Sequence, residues 1–354
     1  MSVFPSWCTS NRGGISKCCM VPFQYSPPPV TMTDTKAEMR EFGRDLRRAR
    51  TILIKIGTEI VHSPEGLLAM GQIGNIVEQI AILHMRGHNI ILVSSGSITI
   101  GKMVLRRQYL LSGSMQSHLG GQVEDNVEFY EKACAAAGES GLQSLYEMLF
   151  SQYHLNCSQV LASDTDFREP QVRENLKNTL TTLLDVGIIP VINENDVITR
   201  RTAPLLCGEK MAWDNDSLAS LFAQEMQVDL MVIITDVDGI YTASTSSGDD
   251  RKLISRFKRD DKPFVVPESR VSSMGQNDKV HSCIRAVDSG AVRAAVVAKA
   301  EPGVLLRIVK GERVGTLFIS PDGKPIGDAT TEEKHIDPLY TGIAKRTRGQ
   351  LSKL

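Results

Sequence analysis

The sequence predicts an α/β fold built on a mostly parallel sheet covered by helices. Two observations carry this. Five short runs rich in Ile and Val recur without polar alternation, as strands buried on both faces do. Between them lie longer stretches whose apolar residues repeat at helical spacing, and strand–helix–strand repetition implies parallel pairing. In such folds ligands bind at the carboxyl ends of the strands.

The elements follow in order. "ILIKIG" (52–57) is the first strand and ends in Lys55-Ile56-Gly57-Thr58. A helix over about 67–85 places Ile73, Ile76, Val77, Ile80 and Leu83 on one face. "NIILVSSG" (89–96) is the second strand, ending in Ser94-Ser95-Gly96. Helices follow over about 141–153 and 172–186. "GIIPVIN" (187–193) is a strand that runs into Asn193-Glu194-Asn195-Asp196. A helix over about 216–226 opens on Asp214-Asn215-Asp216-Ser217, residue types suited to a helix N-terminus. "DLMVIITDVDG" (229–239) carries Thr235-Asp236 at its end, with Asp238-Gly239 as a turn signal outside the site. A helix over about 279–289 precedes the last strand, "AAVVAK" (294–299).

The stretch "SSGSITIGKM" (94–103) imitates a phosphate-binding loop, since Gly96, Gly101 and Lys102 fit G-x-x-x-x-G-K. The next position needs a hydroxyl to hold magnesium, and Met103 has none. The apolar residues 98–100 would also fill the phosphate cradle. The better reading makes Ser95-Gly96 a strand-to-helix turn with backbone N–H groups facing an anion, and Gly101 a site of close helix packing.

Composition bounds the function. A chain of 354 residues with 42% hydrophobic content can bury one large core, or a domain of about 250 residues with tails. The net charge of −1 offers no basic field for nucleic acid. No apolar run reaches the roughly 18 to 20 residues of a membrane helix, so a soluble protein without a transmembrane segment is expected. Cys8, Cys18, Cys19, Cys134, Cys157, Cys207 and Cys283 show no paired CxxC spacing, so free thiols are expected rather than zinc or disulfides. The first 33 residues lack Asp and Glu and carry Arg12 and Lys17; a mitochondrial presequence and an unstructured tail both remain open. From about Ser320 the chain turns polar again.

Six motifs then fall into place together. "ILIKIGTEIV", "ILVSSGSITIGK", "ACAAAGESGL", "VINENDVI", "DNDSLASLFA" and "IITDVDGIYTA" occur in this order over roughly residues 48 to 320. In this they resemble the glutamate 5-kinases of the amino acid kinase family, and more closely the kinase half of animal delta-1-pyrroline-5-carboxylate synthases. The resemblance implies a three-layer αβα sandwich around a mainly parallel eight-stranded sheet. It implies a tail over 1–47, a kinase domain over 48–320 and a tail over 321–354. The implied activity is phosphorylation of the γ-carboxylate of L-glutamate by ATP with Mg2+, the first step of proline biosynthesis. Mitochondrial location is implied, with the cytoplasm as alternative. So is a homo-oligomer, or association with a full-length synthase. The synthase's reductase domain has no counterpart in the sequence, although "GIAKRTRGQLSKL" distantly resembles its start.

The same resemblance assigns residues. Lys55 and Lys279 would contact phosphate oxygens from opposite sides, and Asp216 would organise both. For Lys55 the plain alternative is a strand-end lysine snorkelling to water, and for Lys279 a solvated helix residue. Ser95, Gly96, Asp196 and Asn215 match the glutamate-binding set, with Asp196 on the substrate ammonium. Asn193 and Asp214 are placed in the same pocket, against the alternative of caps and turns. Gly57, Thr235, Asp236 and Gly275 join Lys55 and Lys279 on the nucleotide side; no protein metal ligand is implied.

Departures from the pattern cluster on the nucleotide side. The loop "SSMGQNDK" (272–279) keeps Gly275 and Lys279, but Ser272 and Met274 replace glycines. Glu139 stands where Gln is usual, and Lys299-Ala300 where a glycine near adenine is usual. Two readings stay open: an active glutamate 5-kinase, or a kinase-like protein of weak or no catalysis that works by pairing with a full-length synthase.

Overall fold

A computed structural model of the chain describes residues 46–111, 127–199, 215–242, 252–257, 264–265 and 276–319. Strands β1 (Thr51–Ile56), β2 (Asn89–Ser94), β3 (Cys157–Ala162), β4 (Ile189–Glu194), β5 (Leu230–Thr235), β8 (Ala294–Lys299) and β9 (Thr316–Ile319) form one sheet in the order β3-β4-β2-β1-β5-β8-β9. All pairings in it are parallel except β8 with β9. A separate two-stranded sheet joins β6 (Tyr241–Thr242) to β7 (Phe264–Val265). The helices are α1 (Thr58–Val61), α2 (Met70–Met85), α3 (Ser97–Leu111), α4 (Val127–Ser151), α5 (Pro170–Asp185), α6 (Asn215–Glu225), α7 (Gln276–Asp288) and α8 (Val304–Val309).

The five Ile/Val runs form β1, β2, β4, β5 and β8. Side chains alternate across a strand, so each strand feeds two cores. Ile52, Ile54 and Ile56 of β1 lie in one core with Ile73, Ile76 and Ile80 of α2 and Tyr146 of α4. Leu53 of β1 lies in the other with Leu218 and Phe222 of α6 and Val280 and Cys283 of α7. Two cores on opposite faces of one sheet make the three-layer sandwich that the sequence implies. Each fully buried Ile or Leu contributes about 1.5–3 kcal/mol.

The alternation also places Lys55. It shares the face of Leu53, toward α6 and α7, and lies one register step before the end of β1, opposite Val93 and Ile233. β1 is central, with β2 on one side and β5 on the other. From β1 the chain crosses to β2, and from β5, on the other side of β1, it crosses away to β8; these diverging connections open a crevice at the carboxyl ends of β1 and β5.

The described sheet has seven strands rather than the eight implied. β3 and β9 escape a reading based on apolar runs. β3 is an edge strand with Ser158, Gln159 and half-exposed neighbours, and β9 has only four residues. Helix α4 begins well before residue 141, because "ACAAAG" lacks large apolar side chains but packs closely against α3. A Cβ on Gly101 of α3 would land on the Cys134 carbonyl, and one on Gly138 of α4 on the Ser97 carbonyl. The expected close packing at Gly101 is therefore present, and 97–111 is helix rather than a phosphate loop.

Residues 1–45 and 320–354, which hold most of the expected tails, lie outside the described residues; Leu46, expected in the N-terminal tail, is buried in the core. No helix among the described residues is long and apolar enough to cross a membrane. Cys134 and Cys283 are buried free thiols and Cys157 is a partly buried one.

Candidate active site

At the carboxyl end of β1, Lys55 pairs with Asp216 Oδ1. Lys279 Nζ donates to Asp216 Oδ2 at 2.8 Å. Exposure is 3% for Lys55, 1% for Asp216 and 5% for Lys279, which excludes the snorkelling and solvated alternatives. Sequence position explains the meeting. Lys55 points toward the α6/α7 layer, Asp216 lies in the first turn of α6, and Lys279 lies in the first turn of α7. Burial alone would raise the Asp216 carboxyl, but the charges and hydrogen bonds of Lys279 and Lys55 outweigh it and hold it at about 2. Asp216 is thus an anion that fixes two buried cations beside the crevice.

A fourth charged group joins them that the sequence reading did not single out. Glu59 of α1 is 5% exposed, and its Oε1 lies 3.8 Å from Lys279 Nζ. Its side chain folds back over Gly57, so a Cβ on Gly57 would overlap the Glu59 carboxylate. Gly57 has φ −75° and ψ 160°, which any residue adopts. A Cβ there would push the Glu59 carboxylate aside. The one signal in the sequence was an acidic residue placed four residues after Lys55 and followed at once by the apolar Ile60-Val61.

The residues matched to glutamate lie on the β2 and β4 side. Ser95 is buried, and its N–H donates to Ile56 O at 3.0 Å, tying the end of β2 to β1. Gly96 has φ +116°, where side chains are strained, and a Cβ there would press on Val61 Cγ1 at 3.0 Å. Ser97 Oγ donates to Asp196 Oδ2 at 3.3 Å. The Glu194 N–H donates to Asn215 Oδ1 at 3.3 Å, joining β4 to the head of α6 and so to the Asp216 cluster.

Glu139 of α4 closes this side. It accepts from Asn193 Nδ2 at 2.9 Å and from Gln159 Nε2 at 2.8 Å. Burial raises the Glu139 carboxyl, with Asp196 adding to the rise, and the hydrogen bonds from Asn193, Gln159 and Ser97 oppose it. Asn193 is thus buried and bound to Glu139. Glu139 supplies two acceptor oxygens to flanking amides, where a Gln would supply only one.

On the other side of β1, the Gly57 N–H donates to Ile234 O at 3.3 Å. Thr235 is fully buried at the end of β5, and its Oγ1 donates to Asp236 Oδ1 at 3.4 Å. Its carbonyl accepts from the Ala300 N–H at 2.8 Å. Lys299 pairs at 3.3 Å with Asp238, half-exposed, outside the buried cluster. Gly275, Ser272, Met274 and Asp214 lie outside the described residues. Among the described residues no cluster of three His, Cys, Asp or Glu side chains could hold a metal, and Asp216 is already engaged by two lysines.

Comparison with known proteins gives the family. The profile of the Amino acid kinase family matches residues 50–298. Delta-1-pyrroline-5-carboxylate synthase 1 of Oryza sativa subsp. japonica is 38% identical over 281 residues, covering 79% of this chain and 38% of that protein. The chain thus spans about two-fifths of the synthases it matches, and these are plant proteins rather than the animal ones the sequence resemblance implied. Glutamate 5-kinase of Chromohalobacter salexigens is 31% identical over 294 residues, covering 82% of this chain and 72% of that protein. Among solved structures, carbamate kinase from Giardia lamblia bound to AMP-PNP superposes with a TM-score of 0.52 at 17% identity. It covers 77% of this chain and 99% of that one, a likeness of fold.

Proposed function

The chain belongs to the amino acid kinase family, and from that premise we propose that it is a glutamate 5-kinase, transferring the γ-phosphoryl group of MgATP to the γ-carboxylate of L-glutamate. The observation that carries this reading is the buried Lys55–Asp216–Lys279 cluster at the carboxyl end of the central strand. Phosphoryl transfer needs in-line positioning and neutralised charge more than covalent chemistry. Two lysines held on one carboxylate supply fixed cations for that purpose.

In the proposed reaction an oxygen of the substrate γ-carboxylate attacks Pγ. The bond from Pγ to the β–γ bridging oxygen breaks, and ADP leaves with that electron pair. The product is L-glutamyl 5-phosphate, and no proton is transferred. Lys55 would contact the transferring group from the glutamate side and Lys279 from the nucleotide side. Ser95, Gly96, Asp196 and Asn215 would hold glutamate, with Asp196 on its ammonium. Gly57, Thr235, Asp236 and Gly275 would frame the nucleotide, and Mg2+ would arrive on its phosphates.

The assembled lysine cluster favours catalysis over the pairing-only alternative, because a non-catalytic protein has no need to bury two cations at a strand end. The unit carrying the activity is proposed to span 48–320. The product would enter proline biosynthesis, in mitochondria if the N-terminal segment is a presequence. A homo-oligomer or association with a full-length synthase belongs to the same proposal.

The test is hydroxamate formation from L-glutamate, ATP and hydroxylamine by the purified chain. Magnesium-dependent γ-glutamyl hydroxamate is expected. Its absence at saturating substrates, from folded protein, would sink the reading.

A further inference from the structure

We propose that the Glu59 carboxylate is a built-in competitor of the nucleotide: in the free protein it occupies the phosphate side of Lys279 and must be displaced or outcompeted when a polyphosphate binds. This deepens the reading above and rests on it in one respect, that phosphates approach Lys279.

Lys279 has two anionic neighbours held very differently. Asp216 takes a charge-assisted hydrogen bond from it at 2.8 Å and is locked by Lys55 on its other oxygen. Glu59 Oε1 lies 3.8 Å away, beyond hydrogen-bond distance, and is buried with no hydrogen-bond partner. Glu59 is therefore held there by charge attraction and is the easier of the two carboxylates to displace. Among the described residues Asp216 and Glu59 both face Lys279, and a buried ammonium gains from a nearby anion.

Placement adds to the charge argument. Gly57 ends the central strand at the crevice, and the Glu59 side chain lies across it in the space that the missing Cβ leaves. An anion reaching Lys279 across Gly57 meets this carboxylate first. Glu59 then opposes binding by direct repulsion and by holding Lys279. A merely structural Glu59 would steady Lys279 and favour the nucleotide, so the sign of its effect on affinity separates the two roles.

The experiment is calorimetric titration of the full chain with MgAMP-PNP, in the absence of glutamate, for the parent, Glu59→Gln and Glu59→Ser. Circular dichroism checks that each is folded. The dissociation constant is expected to fall about tenfold in both variants, corresponding to removal of one nearby like charge. A detectable heat in the variants where the parent shows none also supports the proposal. Unchanged or weaker binding in the folded variants overturns it, as does absence of binding in parent and variants alike. If Glu59→Gln is not folded, Glu59→Ser alone decides. Binding is read without turnover. A parent that makes no hydroxamate but binds MgAMP-PNP would therefore count against the proposed reaction and leave the Glu59 comparison standing.

Discussion

Lys55 of β1 and Lys279 of α7 are joined through a single carboxylate, each pairing with a different oxygen of Asp216. The two cations come from opposite ends of the domain sequence, and Asp216 sets their spacing. Among the described residues Glu59 is a further carboxylate near Lys279.

Replacing Asp216 by Asn should cost both stability and activity. The substitution leaves two buried ammonium groups without their shared anion, and breaking a buried pair costs about 3–5 kcal/mol. The folded Asp216 titrates at about 2, below its ordinary 3.8, so its stabilising effect is complete above the ordinary value and is lost as pH falls through about 2. The melting-temperature gap between parent and variant should therefore be wide at neutral pH and narrow only below about pH 4. A gap that closes on approach to neutrality would contradict the depressed carboxyl.

Lys55→Ala should nearly abolish hydroxamate formation. Loss of one preorganised charge contact to a transferring group costs about 3 kcal/mol or more in the barrier, which is a hundredfold or greater. A variant keeping more than half the parent's kcat would remove Lys55 from the proposed mechanism.

Asp196→Ala should raise the KM for glutamate far more than that for ATP. Asp196 is tied to Ser97 on the β2/β4 side, away from the Thr235 end of the crevice. If the ATP KM alone moves, the two subsites have been interchanged.

Two glycine-to-alanine changes should have opposite signs. Gly74→Ala in α2 adds a methyl where nothing lies within 4 Å, and should stabilise by about 0.5–1 kcal/mol through helix propensity. Gly101→Ala gains the same propensity but drives its Cβ onto the Cys134 carbonyl, so packing wins and the net loss should be about 1–3 kcal/mol. Urea midpoints of the two variants on the same side of the parent would refute the close α3–α4 contact.

Local composition was sufficient for β1, β2, β4, β5 and β8, because strands buried on both faces are written as unbroken Ile/Val runs. It was sufficient for α2, whose apolar stripe packs where the spacing puts it. The ordered motifs named Lys55 and Asp216, and the family likeness of the loop 272–279 named Lys279; the structure brings both lysines onto Asp216. Edge strands β3 and β9 stayed hidden, since an edge strand carries polar residues and a short one leaves no periodic signal. Glu59 and the Glu139 contacts were decided only by the tertiary structure. A carboxylate's role depends on which cation or amide meets it: Lys279 for Glu59, and Asn193 and Gln159 for Glu139. Those partners lie on other elements, and only the packing of α1 beside α7, and of α4 against the ends of β3 and β4, brings them within reach.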